Sequence, residues 1–141
     1  MADLMRTIDL PLRLDFIEIA QYGEGSGANV AVSKDIPDSI EGRHVILVED
    51  IVDTGMTLQF LLGHLWDKQP ASVSVCTLLN KPVRRMNHIT INYCGFDIPD
   101  EFVVGYGLDY GGKFRNMPSI GVLRPVEAKP EIEVEAHQTV D

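Results

Sequence analysis

The stretch His44-Val45-Ile46-Leu47-Val48-Glu49-Asp50-Ile51-Val52-Asp53-Thr54-Gly55 constrains this chain more than any other. Its opening apolar, β-branched run is the pattern of a central strand buried on both faces. The run ends in two carboxylates and a small-residue turn, beyond which Leu58, Leu61, Leu62 and Leu65 fall on one helical stripe. Ser72 to Leu79 reads as the next strand. Strand, tight loop, helix and strand at this spacing predict parallel pairing through a right-handed crossover. The expected fold class is therefore α/β, with a mostly parallel central sheet flanked by helices.

Upstream, Leu4, Met5 and Ile8 recur at helical spacing and predict a helix ending before Leu10-Pro11. Leu12 to Ala20 then alternates apolar and polar side chains, as a half-buried strand does, with Asn29 to Lys34 as its partner. Between them, Tyr22-Gly23-Glu24-Gly25-Ser26-Gly27 predicts a mobile loop. Further short strands are expected over Thr90 to Phe96, Phe102 to Val104 and Ile120 to Leu123. One domain over residues 1–124 is the reading, followed by an acidic, flexible tail over 125–141 that carries five acids against one base.

Composition excludes some functions. A net charge of -9 argues against a nucleic-acid surface, which needs clustered Lys and Arg. No apolar run approaches the roughly 18 residues of a membrane span, and the opening residues lack a signal peptide's layout, so a cytoplasmic location is expected. Cys76 and Cys94 lie in strand-like runs without close Cys or His neighbours, and read as buried, reduced thiols rather than a zinc site.

The acidic turn carries the chemistry. Carboxylates at the carboxyl end of a buried strand, with a loop opening onto a helix, sit where open α/β sheets bind ligands. Thr54, Gly55, Met56 and Thr57 would offer backbone N–H groups and two hydroxyls at a helix N-terminus, suited to a phosphate monoester. Glu49 and Asp50 would accept ribose hydroxyls or hold magnesium through water. The plainer alternative has Asp53 as a helix cap.

The nine residues from Glu49 to Thr57 resemble the phosphoribosyl pyrophosphate-binding motif of the type I phosphoribosyltransferases. Cys76-Thr77-Leu78-Leu79-Asn80-Lys81 and the segment from Gly95 to Tyr110 are similar to the purine-binding segments of the hypoxanthine-guanine branch, and the opening Ala2-Asp3-Leu4-Met5-Arg6 is similar to a helix of that family. The resemblance runs to about Arg124. It implies that Asp53 is the general base or acid near purine N7, and that Lys81 donates to the 6-oxo group. It implies likewise that Phe102 stacks on the purine, Val103 offers backbone groups to the base edge, Asp109 holds magnesium and Arg115 touches pyrophosphate. Singly, Lys81 reads as a solvated strand end, Phe102 as core, Asp109 as a turn residue and Arg115 as a surface charge.

The resemblance implies a purine-salvage transferase acting on 6-oxopurines with phosphoribosyl pyrophosphate and Mg2+, assembled as a homo-oligomer, dimer or tetramer. Relative to that family the chain is expected to be N-terminally truncated, lacking a first strand and a Lys-Gly pyrophosphate loop. It also carries Gln21-Tyr22 where the family has Ser-Tyr. A relative that binds purine nucleotide without efficient catalysis is the competing reading. An RNA-binding regulator on the same fold is disfavoured by the acidic charge.

Overall fold

The computed structural model describes residues 1–22 and 29–124. The glycine-rich loop and the acidic tail anticipated from the sequence lie outside these residues. The chain divides into two compact units, Met1–Asp100 and Glu101–Asp141.

The first unit opens with helix α1, Ala2–Thr7, which ends before Leu10-Pro11 as its spacing predicts. Strands β1, Glu18–Tyr22, and β2, Asn29–Lys34, pair antiparallel. The strand expected from Leu12 begins only at Glu18. Leu12, Leu14 and Phe16 stay exposed because no strand among the described residues pairs with that segment, so its alternation has no sheet face to bury.

The three-stranded sheet and its helix follow the predicted chain order. Strand β3, His44–Val52, leads through the acidic turn into helix α2, Met56–Trp66, and strand β4, Ser72–Asn80, returns parallel to β3. Strand β5, Tyr93–Asp97, adds in parallel on the far side of β4. Among the described residues the order β3-β4-β5 makes β4 the central strand and leaves β3 at an edge, where the sequence predicts a central β3. Ile46 is 52% exposed, against 2% for Val75 on β4. Cys94, on β5, is exposed rather than buried, while Cys76 is half-buried. Desolvation, then the neighbouring Asp97 carboxylate, raises the Cys94 pKa above the ordinary thiol value.

Helix α2 forms because its leucine stripe has somewhere to go. Leu58, Leu61 and Leu65 are buried, and Leu58 packs with Val52 and Val75, flanked by Leu47, Leu62, Ile89 and Ile91. Each buried leucine contributes roughly 1.5–3 kcal/mol, enough to fix the strand-turn-helix geometry that sets the site.

An ionic tie joins the end of β2 to α2. The Asp35 Oδ2 atom accepts from Lys68 Nζ at 2.7 Å and from His64 Nε2 at 3.0 Å. Desolvation alone would raise the Asp35 pKa. The hydrogen bonds from Lys68, His64 and the Ile36 N–H, with the His64 charge, outweigh it and bring the pKa down to about 2. A depressed folded pKa gives stability that is present above the ordinary value of 3.8 and lost as pH falls towards 2. Asp35→Asn is therefore expected to lower the melting temperature modestly at pH 7. The gap between the two proteins should close between about pH 4 and pH 2 in parallel thermal melts, and a gap that persists at pH 2 would contradict the assignment.

The second unit holds strands β6, Val103–Val104, and β7, Gly121–Val122, paired antiparallel and shorter than the runs that predicted them. Leu123 N–H donates to the Phe102 carbonyl at 2.8 Å and extends the pairing. Between the strands the chain folds through left-handed conformations at Gly105, Gly107, Gly111 and Gly112. No helix among the described residues is long and apolar enough to cross a membrane.

Candidate active site

The acidic turn encloses a cavity of about 200 Å³ lined by Glu49, Ile51, Val52, Asp53, Thr54, Gly55, Thr57 and Leu58. Five of the expected site residues thus surround one space. Asp50 and Met56 do not line it, and both are exposed. The Asp50 carboxylate instead accepts the Ile51 N–H at 2.7 Å.

Gly55 makes the turn possible. It is the residue before α2, with φ +85, a left-handed conformation that costs glycine little. A Cβ there would lie 2.9 Å from Ile89 Cδ1 and 3.1 Å from Arg85 Cδ. Asp53 is not the cap of the helix: that position is Gly55, which has no side chain to bond the first turn. Thr54 Oγ1 accepts from Met56 N–H at a long 3.4 Å. With no acidic residue in that first turn, the N-terminal partial charge of α2 has no built-in anion.

The segment after β4 straps the turn down. Lys81 N–H donates to the Val52 carbonyl at 2.9 Å, Arg85 Nε to the Asp53 carbonyl at 3.2 Å and Met86 N–H to the Thr54 carbonyl at 3.0 Å. Three consecutive carbonyls are therefore bound by one neighbouring segment. Arg85 is anchored in turn by the Asn80 side-chain oxygen, and Asn80 Nδ2 donates to Asp97 Oδ1 at 2.7 Å.

Charge in the site is unevenly placed. Burial, then the like charge of Asp50, pushes the Glu49 carboxyl up to about 7. An acid with a raised pKa costs folding stability as pH climbs from its ordinary 4.5 through 7. In metal-free buffer, Glu49→Gln should therefore raise the melting temperature at pH 8 and leave it nearly unchanged at pH 4. A variant less stable than the parent at pH 8 would contradict this reading. Asp53 Oδ1 is buried and has no hydrogen-bond donor, although Arg84 Nε lies 3.0 Å away. The two atoms form an ion pair without the alignment of a hydrogen bond. Arg84 Nη1 also reaches Asp100 Oδ1 at 3.4 Å, and Lys81 Nζ lies 3.9 Å from the same oxygen. The Lys81 side chain is only 8% exposed, so it is not the solvated strand end that its residue type suggests in isolation.

In the second unit, Phe102 meets Tyr110 edge-on with ring centroids 5.6 Å apart. Phe102 is 52% exposed, which rules out simple core packing. Val103 pairs with Val122 across β6 and β7. Asp109 Oδ2 accepts the Gly112 N–H at 2.7 Å, while Asp109 Oδ1 pairs with Arg115 Nη2 at 2.8 Å. Arg115 Nη1 also donates to the Gly107 carbonyl at 2.7 Å, which makes it a loop brace in this state rather than a free surface charge. Among the described residues no three His, Cys, Asp or Glu side chains gather as a metal cluster.

Sequence reasoning missed Arg84, Arg85 and Asp100. The one signal available was the run Lys81-Pro82-Val83-Arg84-Arg85, in which adjacent cations follow a strand whose neighbour ends in carboxylates. No periodicity marks them.

Residues 1–111 match the model of the phosphoribosyl transferase domain. The chain belongs to that family. Within it the chain falls in the hypoxanthine-guanine phosphoribosyltransferase branch. It is 47% identical over 123 residues to the hypoxanthine phosphoribosyltransferase of Haemophilus influenzae, a match covering 86% of this chain and 69% of that protein. It is 47% identical over 125 residues to the hypoxanthine-guanine phosphoribosyltransferase of Mycobacterium avium, covering 87% and 62%. The chain thus spans about two thirds of the length of these relatives. The crystal structure of a hypoxanthine-guanine phosphoribosyltransferase from Bacillus anthracis superposes with a TM-score of 0.83 at 47% identity, covering 87% of this chain and 74% of the other. The type I phosphoribosyltransferase fold expected from the sequence is therefore the fold observed.

Proposed function

We propose that this protein transfers phosphoribose from phosphoribosyl pyrophosphate to hypoxanthine or guanine, forming IMP or GMP and releasing pyrophosphate in purine salvage. The observation that carries the reading is the cavity at the start of α2, where Glu49, Asp53, Thr54, Gly55 and Thr57 surround one space. Thr54 to Thr57 bind the 5′-phosphate through backbone N–H groups and hydroxyls, because the helix N-terminus favours an anion. Glu49 and Asp50 accept the ribose hydroxyls.

In the transfer, purine N9 forms its bond to the anomeric carbon while the bond from that carbon to the pyrophosphate oxygen breaks, and the electron pair leaves with pyrophosphate. Asp53 takes the proton the base gives up near N7 and releases it to solvent after the product leaves. Lys81 donates to the 6-oxo group, Phe102 stacks on the purine face and Val103 offers backbone groups to its edge. Arg115 leaves its pairing with Asp109 to meet the pyrophosphate.

Glu49 and Asp50 in the first unit, and separately Asp109 in the second, would each offer hard carboxylate oxygens to magnesium, which would neutralise the charge on the leaving pyrophosphate. The raised pKa of Glu49 supports this, since a buried acid beside a second carboxylate gains from a nearby cation. We place the protein in the cytosol as a homo-oligomer, dimer or tetramer, as the family resemblance implies.

Incubation with labelled hypoxanthine, phosphoribosyl pyrophosphate and magnesium should yield IMP and pyrophosphate in equal amounts. No IMP formation, with IMP still binding to the protein, would overturn the transferase reading.

A further inference from the structure

We propose that Arg84 is a positioning residue for Asp53, balancing the carboxylate's charge from its buried side, and that Asp100 holds Arg84 in that place. The inference rests on the proposed role of Asp53 as proton acceptor.

A buried carboxylate oxygen without a donor is costly, and native structures keep few of them. Asp53 Oδ1 is such an oxygen. What compensates it is the Arg84 guanidinium, whose Nε stands 3.0 Å away but is not aligned as a donor. Oδ1 faces Arg84 on the buried side, while the Asp53 side chain as a whole is 40% exposed and leaves the rest of the carboxyl open to an N–H arriving from a substrate. An apolar neighbour in place of Arg84 would leave the charge unbalanced.

Arg84 does not hold this station alone. It lies at the end of the short helical turn Pro82–Arg84, and its Nη1 atom is 3.4 Å from Asp100 Oδ1. Asp100 is also 3.9 Å from Lys81 Nζ. Lys81, Asp100, Arg84 and Asp53 therefore alternate in charge along one chain of contacts. The same segment fixes the backbone of Asp53 through Arg85 Nε on its carbonyl. Consecutive arginines thus have separate tasks, Arg84 on the side chain and Arg85 on the main chain.

The test is a double-mutant cycle with Asp53→Asn and Arg84→Met, with Arg84→Lys as the conservative variant and thermal melts to verify folding. Arg84→Met should lower kcat about tenfold, with the KM for phosphoribosyl pyrophosphate changed less than about twofold, because only the alignment of the proton acceptor is lost. Arg84→Lys should recover most of the loss. In the Asp53→Asn background, Arg84→Met should cost less than about twofold, since its action passes through Asp53. Equal losses in both backgrounds, or an unchanged kcat, would overturn the proposal. The 13C resonance of the Asp53 carboxyl gives a readout independent of turnover. It should move in Arg84→Met and return close to its original position in Arg84→Lys. A chain that makes no IMP but shows this movement would fail the transferase reading and keep the Arg84 assignment. An unmoved resonance in folded Arg84→Met would overturn that assignment itself.

Discussion

Asp53→Asn is expected to lower kcat by roughly 10²–10⁴, the usual worth of a positioned proton acceptor. The amide keeps the shape of the carboxylate but cannot accept the proton. The KM for phosphoribosyl pyrophosphate should change little, because the proposed phosphate cradle is the backbone of the turn and not this side chain. Stability should also change little. The Asp53 side chain is 40% exposed and its partner Arg84 47%, and ion pairs at that exposure contribute on the order of 0–1 kcal/mol. Steady-state kinetics and a thermal melt on the same preparation check both halves. A variant with near-parental kcat would remove Asp53 from the chemistry, and a large fall in melting temperature would make its role structural.

Gly105→Ala should be the most damaging small substitution in the second unit. Gly105 has φ +95, and a Cβ there would lie 2.1 Å from the Ser119 carbonyl oxygen and 3.2 Å from Met117 Cβ. The nearer atom is backbone and cannot swing aside. Its N–H donates to the Leu108 carbonyl at 2.9 Å, and the next residue, Tyr106, donates to the Met117 carbonyl at 2.9 Å. Relieving the clash means pulling apart the segment that joins β6 to the Asp109 turn. The conformational strain alone costs on the order of 1–3 kcal/mol, and the lost pairing brings the total to about 3 kcal/mol or more. Hydrogen exchange should rise over residues 101–124 and the melting temperature should fall. A melting temperature within about 1 °C of the parent would contradict the geometry.

The sequence is most informative where local pattern and tertiary packing agree. The Val45 to Val48 run, the leucine stripe and the Ser72 to Leu79 run each bury one face against another, so period alone locates β3, α2, β4 and their parallel pairing. It places β3 at the centre of the sheet, where the described residues leave it at an edge, because an apolar run reports burial and not which neighbours provide it. It overextends the strand before β1 for a related reason: alternation over Leu12 to Phe16 has no partner to pair with among the described residues. The candidate site is legible at the turn, where five of the residues from Glu49 to Thr57 that the sequence singles out line one cavity. Arg84 and Asp100 are not. Their meaning depends on a fold that brings residues 53, 84 and 100 within about 4 Å of one another in succession, and spacing in the chain carries no trace of that.

The second unit shows the same division. Resemblance singles out Phe102, Asp109 and Arg115, yet the Asp109–Arg115 pair and the brace from Arg115 to the Gly107 carbonyl depend on left-handed turns at glycines whose partners cannot be read in advance. On the proposed reading, Arg115 exchanges these protein partners for pyrophosphate during the reaction, a cost that binding of the anion has to offset.

The most direct measurement is of where a 5′-phosphate binds. The backbone amide resonances of Thr54, Gly55, Met56 and Thr57 should shift on addition of IMP and stay in place on addition of inosine, which lacks the phosphate. If IMP binds while those four amides stay still, the turn from Glu49 to Thr57 is not the ribose-phosphate cradle, and a different surface of the protein holds the nucleotide.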